Sequence, residues 1–234
     1  MLVLILTESW SVHAQTLDLI APSEIVWPTD TTFAEQLEEA EQQLKERGSS
    51  DPLIFEKARL EHLLGAKGDR DLARSAYQAL RGLHERYPDD PVISAYFGSA
   101  MMLRAQRAWL FTTKGRLVEE GGDLMKRSLE AAPDDAEVHA VIGLSLVDLP
   151  DWMEQQAEGQ EQIRLGAQLA QGVDAPRRWS PALRAMMVEA YARHSGEALD
   201  PDSRRALLET AVSLAPESDA GQRAEQRLRE MASP

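Results

Sequence analysis

Cysteine is absent from the 234 residues, which excludes disulfides, thiolate metal sites, cysteine nucleophiles and a lipoprotein anchor together. Asparagine is absent too, so no N-glycosylation sequon exists. Cations are sparse: 25 Lys and Arg face 39 Asp and Glu, giving a formal charge of −14. That balance argues against nucleic-acid binding and against adsorption to an anionic lipid surface, both of which need concentrated Lys and Arg. The longest uninterrupted apolar run, Met1 to Leu6, falls far short of the ~20 residues of a membrane span. Alternating runs of Val, Ile and Thr are missing, so no sheet is expected. What is present is a globular composition, 43% apolar and 27% charged, on a chain long enough to bury a core.

The N-terminal run leads into Val12-His13-Ala14-Gln15. Val12 and Ala14 stand at the −3 and −1 positions of a small-residue cleavage site before Gln15. A signal peptide also needs a basic n-region, and no Lys or Arg precedes Lys45. Residues 1–14 therefore read as the tail of a signal whose start lies upstream, which makes the protein periplasmic or secreted. The alternative is a short apolar segment packed on the domain of a cytoplasmic protein. Residues 15–30 carry Pro22 and Pro28 around Ile25, Val26 and Trp27, the pattern of an extended lead-in rather than a helix.

From residue 31 the chain reads as one all-α domain. Thr31 or Thr32 caps a helix in which Phe33, Leu37, Ala40 and Leu44 recur at helical spacing up to Gly48. Asp51-Pro52 opens a second helix, closed between Gly65 and Asp69. Asp69 caps a third, halted by Pro88. The chain then repeats itself. Tyr87-Pro88-Asp89-Asp90-Pro91 and its following helix, with Phe97-Gly98, return as Ala132-Pro133-Asp134-Asp135-Ala136 and a helix with Ile142-Gly143, at an offset of 45 residues. A further helix–proline half runs from Ala206 to Pro216.

On these residues the chain resembles the tetratricopeptide repeat (TPR) family, with degenerate repeats like those of bacterial members of unassigned role. Phe97-Gly98 and Ile142-Gly143 match the pair inside the family's first helix. Gly121, Met125, Ser128 and Leu129 fill the small, large, small and apolar slots of its second, as Arg204, Leu208, Ala211 and Val212 do in the last copy. Arg204 in a small slot departs from the pattern. The resemblance implies a TPR-like superhelical solenoid of antiparallel helix pairs, about four repeats within residues 52–216 and a cap helix over 219–231. The repeats exceed the family's ~34 residues, and the excess is expected between the two helices of a pair, at 109–119 and again around 149–157.

Chemistry-bearing patterns are scarce. His13, His62, His84, His139 and His194 form no i, i+4 pair, so no metal site is expected. No nucleophile elbow or phosphate loop is present: Gly98-Ser99-Ala100 is helix interior and Gly65-Ala66-Lys67-Gly68 is a turn. No cofactor and no catalytic residue is implied. TPR domains that hold chaperone tails use a carboxylate clamp containing asparagines, which this chain lacks.

One segment stands out. Residues 104–118 hold Arg104, Arg107, Lys114 and Arg116, no acid, and the cluster Trp109-Leu110-Phe111. Trp152 occupies the matching turn of the next repeat, and Arg177-Arg178-Trp179 opens the one after. Trp and Arg dominate binding hot spots because they combine contact area with several donors. Arg107, Trp109, Phe111, Lys114, Arg116 and Trp152 are thus the candidate residues for binding a protein partner along one edge. The competing reading buries these rings against their own helices. The functional expectation is a non-catalytic interaction scaffold, in the bacterial envelope if exported. Its alternative is a binder of a small anionic molecule, with the basic segment at the superhelical groove.

Overall fold

The computed structural model describes residues 32–149, 153–171, 181–195 and 199–232. The described residues form ten helices and no strand: α1 (Phe33–Arg47), α2 (Asp51–Ala66), α3 (Arg70–Arg86), α4 (Pro91–Arg107), α5 (Phe111–Ala131), α6 (Ala136–Val147), α7 (Gln156–Gln171), α8 (Pro181–His194), α9 (Pro201–Leu214) and α10 (Asp219–Ala232).

The helix starts are written locally. Asp69, Asp90, Asp135 and Asp200 each precede a helix, and Oδ1 of each accepts the second and third backbone N–H groups after it. These bonds satisfy donors that a helix leaves orphaned at its N-terminus. At α1 the device is a capping box, in which Thr32 Oγ1 accepts the Glu35 N–H and Glu35 accepts the Thr32 N–H. Gly48 ends α1 with φ +83°, a left-handed conformation that glycine adopts without strain.

The helices pack as consecutive hairpins, α2 on α3, α4 on α5, α6 on α7 and α8 on α9, while α10 covers the last pair and α1 the first. The first helix of each pair touches the first helix of the next, so α2, α4, α6 and α8 run side by side. This is an all-α solenoid of antiparallel helix pairs. Within two pairs the axes approach so closely that only glycine fits. A Cβ on Gly98 would lie 2.7 Å from the Gly121 carbonyl oxygen, and one on Gly143 2.8 Å from that of Gly159. Met125 and Ser128 fill the expected slots of α5 below this crossing, and Leu208 and Ala211 those of α9, all buried.

One expectation on repeat length is corrected. Residues 109–119 do not form an insertion loop: the break is Ala108–Leu110, and residues 111–119 extend α5 to 21 residues. Leu117 explains the extension, since it is buried in the α4–α5 core and gives this added stretch an apolar anchor. The second lengthened connection lies between Val147 and Gln156, in part outside the described residues.

The superhelix brings distant segments together. Lys67, in the turn after α2, donates to Asp219 at the start of α10 over 2.5 Å, and the Phe33 ring of α1 sits 5.5 Å beneath the same ammonium.

Candidate docking surfaces

At the α4–α5 corner three apolar side chains stand in solvent. Trp109 is 91% exposed, Leu110 48% and Phe111 85%. Neither ring folds back on its own helices, as the competing reading required. The corner is nevertheless braced. Arg107 Nη2 donates to the Gly65 carbonyl in the preceding pair over 3.0 Å, and Leu117 anchors the first turns of α5. Lys114 is exposed, and Arg116 pairs with Glu120 one turn on, at 2.7 Å. The result is an apolar tip flanked by cations and tied to the preceding pair through Arg107. Covering each large side chain releases on the order of 1.5–3 kcal/mol of transfer free energy, available to a partner and unused by the fold. Trp152 and Arg177-Arg178-Trp179 lie outside the described residues.

A second surface is the groove along the first helices. It encloses about 400 Å³ between α2, α4, α6 and α8, with Leu63, Met102, Leu144, Met186 and Met187 in its walls. Its polar floor is a chain of hydrogen bonds. Ser145 Oγ donates to the Val141 carbonyl at 2.7 Å, Ser99 lies 2.6 Å from Ser145 Oγ, and His62 Nε2 lies 2.8 Å from Ser99 Oγ. Because Ser145 spends its proton on Val141, Ser99 donates to Ser145 and His62 Nε2–H donates to Ser99. Burial pushes the His62 pKa down to about 4, leaving a neutral ring whose Nδ1 has no partner among the described residues. Of the basic segment 104–116, Gln106 reaches this lining; Arg104 and Arg107 line a different groove, against α3. The expected meeting of the basic segment with the superhelical groove is therefore not what the chain builds.

Sequence reasoning also missed a buried charged cluster beneath that groove. Arg59 of α2 pairs with Glu56 and, at 3.1 Å, with Glu137 of α6, and Tyr96 of α4 donates to Glu137 at 2.9 Å. All are nearly or fully inaccessible. Burial works against the Arg59 charge, but Glu56 and Glu137 outweigh it and raise its pKa, while burial followed by the Glu137 charge drives the Tyr96 phenol upward. Glu189 of α8 is similarly enclosed, with Arg223 of α10 at 3.1 Å. The residue types alone give no signal, since Glu56 and Arg59 stand three apart in a helix, the ordinary spacing of a surface ion pair.

Two further histidines are held by hydrogen bonds: His84 meets Ser94, and His139 bridges Gln162 and the Pro133 carbonyl. Among the described residues no group of three or more His, Asp or Glu could hold a metal, and no helix is long and apolar enough to cross a membrane.

Helix pairs joined by capped turns, a glycine-tight crossing within the pair and first helices aligned along a shared groove define a TPR-like helical-repeat protein. The solved structure of TTC0263, a thermophilic TPR protein of Thermus thermophilus, superimposes with a TM-score of 0.56 over 86% of this chain and 90% of that one, at 16% sequence identity. At that identity the likeness concerns the fold alone. No protein-family model matches the chain, and no curated protein matches it in sequence.

Proposed function

We propose that this protein is a non-catalytic scaffold that docks a protein partner through the α4–α5 corner. The supporting observation is the exposure of Trp109 and Phe111 on a braced corner, beside Arg107, Lys114 and Arg116. Exposed aromatic side chains next to cations are the usual anchors of an interface, and a preformed mount avoids an ordering cost. Export to the bacterial envelope, the second part of the proposal, puts Gln15 at the mature N-terminus, and N-terminal sequencing of the natural protein tests it.

The docking test compares captured proteins for the wild type, Trp109→Ser/Phe111→Ser and Lys114→Glu/Arg116→Glu. A partner held by the wild type, lost by the first variant and weakened by the second supports the proposal. A partner held equally by all three overturns it. The alternative, a small anionic ligand in the superhelical groove, draws on the apolar walls and the Arg193 and Arg223 side chains at its lining. It predicts a rise in Tm with a metabolite panel, which the scaffold reading does not.

A further inference from the structure

Arg70, Arg74, Tyr77 and Arg81 recur at helical spacing on one stripe of α3. With Arg104 and Arg107 from the end of α4, they line a groove of about 970 Å³. That lining holds five arginines and a single carboxylate, Glu85, in a chain of formal charge −14. It is not the superhelical groove. Ser99, Met102 and Leu103 of α4 line that one, Gln106 stands on the ridge shared by both, and Arg104 is turned about 100° from Leu103 towards α3.

The groove's cations are presented rather than consumed. Arg104 stacks over the Tyr77 ring at 4.4 Å, and Arg107 is held by the Gly65 carbonyl. Neither forms an ion pair among the described residues. Arg74 and Arg81 meet Asp71 and Glu85 through pairs at 3.0 and 2.9 Å that are more than half exposed. Such pairs contribute at most about 1 kcal/mol, so an incoming carboxylate exchanges into them readily. Planar guanidinium forks match carboxylates in two-point contacts.

We infer that this groove is a docking site for an extended acidic peptide segment of a partner protein. From Arg70 to Arg81 the stripe runs about 16 Å at 1.5 Å per helical residue, which an extended segment covers with about five residues. A nucleic-acid strand fits less well. The Tyr77 ring, the one aromatic of the lining, has Arg104 over it and packs against Phe97 at 5.6 Å between centroids, so the groove itself offers no free platform for a base.

The test is fluorescence anisotropy with a labelled Glu-Asp-Glu-Asp-Glu peptide, a Gln-Asn-Gln-Asn-Gln control and an oligothymidine of the same length. The proteins are the full chain, Arg74→Glu/Arg81→Glu and Arg104→Gln, each checked for helicity by circular dichroism. The acidic peptide should bind the wild type saturably and weaken with salt. It should lose about tenfold or more on the double charge reversal and a smaller factor with Arg104→Gln. No binding to the wild type overturns the inference, as does equal binding by the double variant or by the neutral peptide. Tighter binding of oligothymidine than of peptide also overturns it. The probe carries no apolar residue, and binding at the corner's Lys114 and Arg116 would survive the Arg74→Glu/Arg81→Glu change, so failure here is distinguishable from failure of the Trp109 corner.

Discussion

Arg59 and Glu137, 78 residues apart in the chain, meet at 3.1 Å with both side chains removed from water. The contact joins the first helix of one repeat to the first helix two repeats on, past Tyr96 of the helix between them. It therefore pins the superhelical curvature, because any change in the angle between repeats pulls the two charges apart. An enclosed ion pair of this kind adds little over an apolar replacement of both partners, yet loss of one partner strands the other in a dry core.

Arg59→Met should accordingly cost about 3–5 kcal/mol of stability, since both buried carboxylates lose the guanidinium that pairs with them. Urea unfolding monitored by circular dichroism measures it. A loss below about 1 kcal/mol would show that the cluster is hydrated and not a clamp on curvature.

His62 should make the protein acid-sensitive. Its folded pKa, pushed down to about 4 by burial, lies below the unfolded value, so the unfolded state binds the proton first. Its contribution is intact above the unfolded pKa and is lost as pH falls from about 6.5 towards 4. His62→Gln keeps a donor for Ser99 without this titration. Relative to the wild type, it should flatten the fall in stability by about 2–3 kcal/mol between pH 7 and 4.5. Parallel pH profiles for the two proteins would contradict the assignment.

Two glycines of the α4–α5 pair should respond in opposite directions. Gly98→Ala sets a Cβ 2.7 Å from the Gly121 oxygen and should cost about 1–3 kcal/mol through forced separation of the helices. Gly115→Ala meets nothing within 4 Å and should stabilise α5 by about 0.5–1 kcal/mol. Thermal denaturation of the two variants side by side checks the pair of signs.

Trp109→Ser/Phe111→Ser should leave stability within about 0.5 kcal/mol of the wild type, because the folded state already leaves both rings in water. A marked fall in Tm would mean that the rings are covered in solution by another part of the chain.

Local signals were legible because they act within a few residues. Asp90-Pro91 and Asp135-Ala136 place helix starts through bonds to the second and third N–H groups that follow. Gly98 and Gly121 mark a close crossing because a missing side chain is visible in the sequence wherever it stands. The stretch 109–119 misled for a different reason. Repeat length placed the excess residues between the two helices of a pair, while Leu117, packed into the α4–α5 core, makes helix the more stable state.

What the sequence determined by itself, then, is the helix pair: its caps, its tight crossing and its repetition, all set by backbone hydrogen bonding and side-chain size at short range. Tertiary structure alone decided how the pairs are set against one another. The Arg59–Glu137 clamp, the Lys67–Asp219 contact and the arginine groove between α3 and α4 exist because helix pairs stack at one angle. That angle is the sum of packing across every interface, so no short window of residues encodes it.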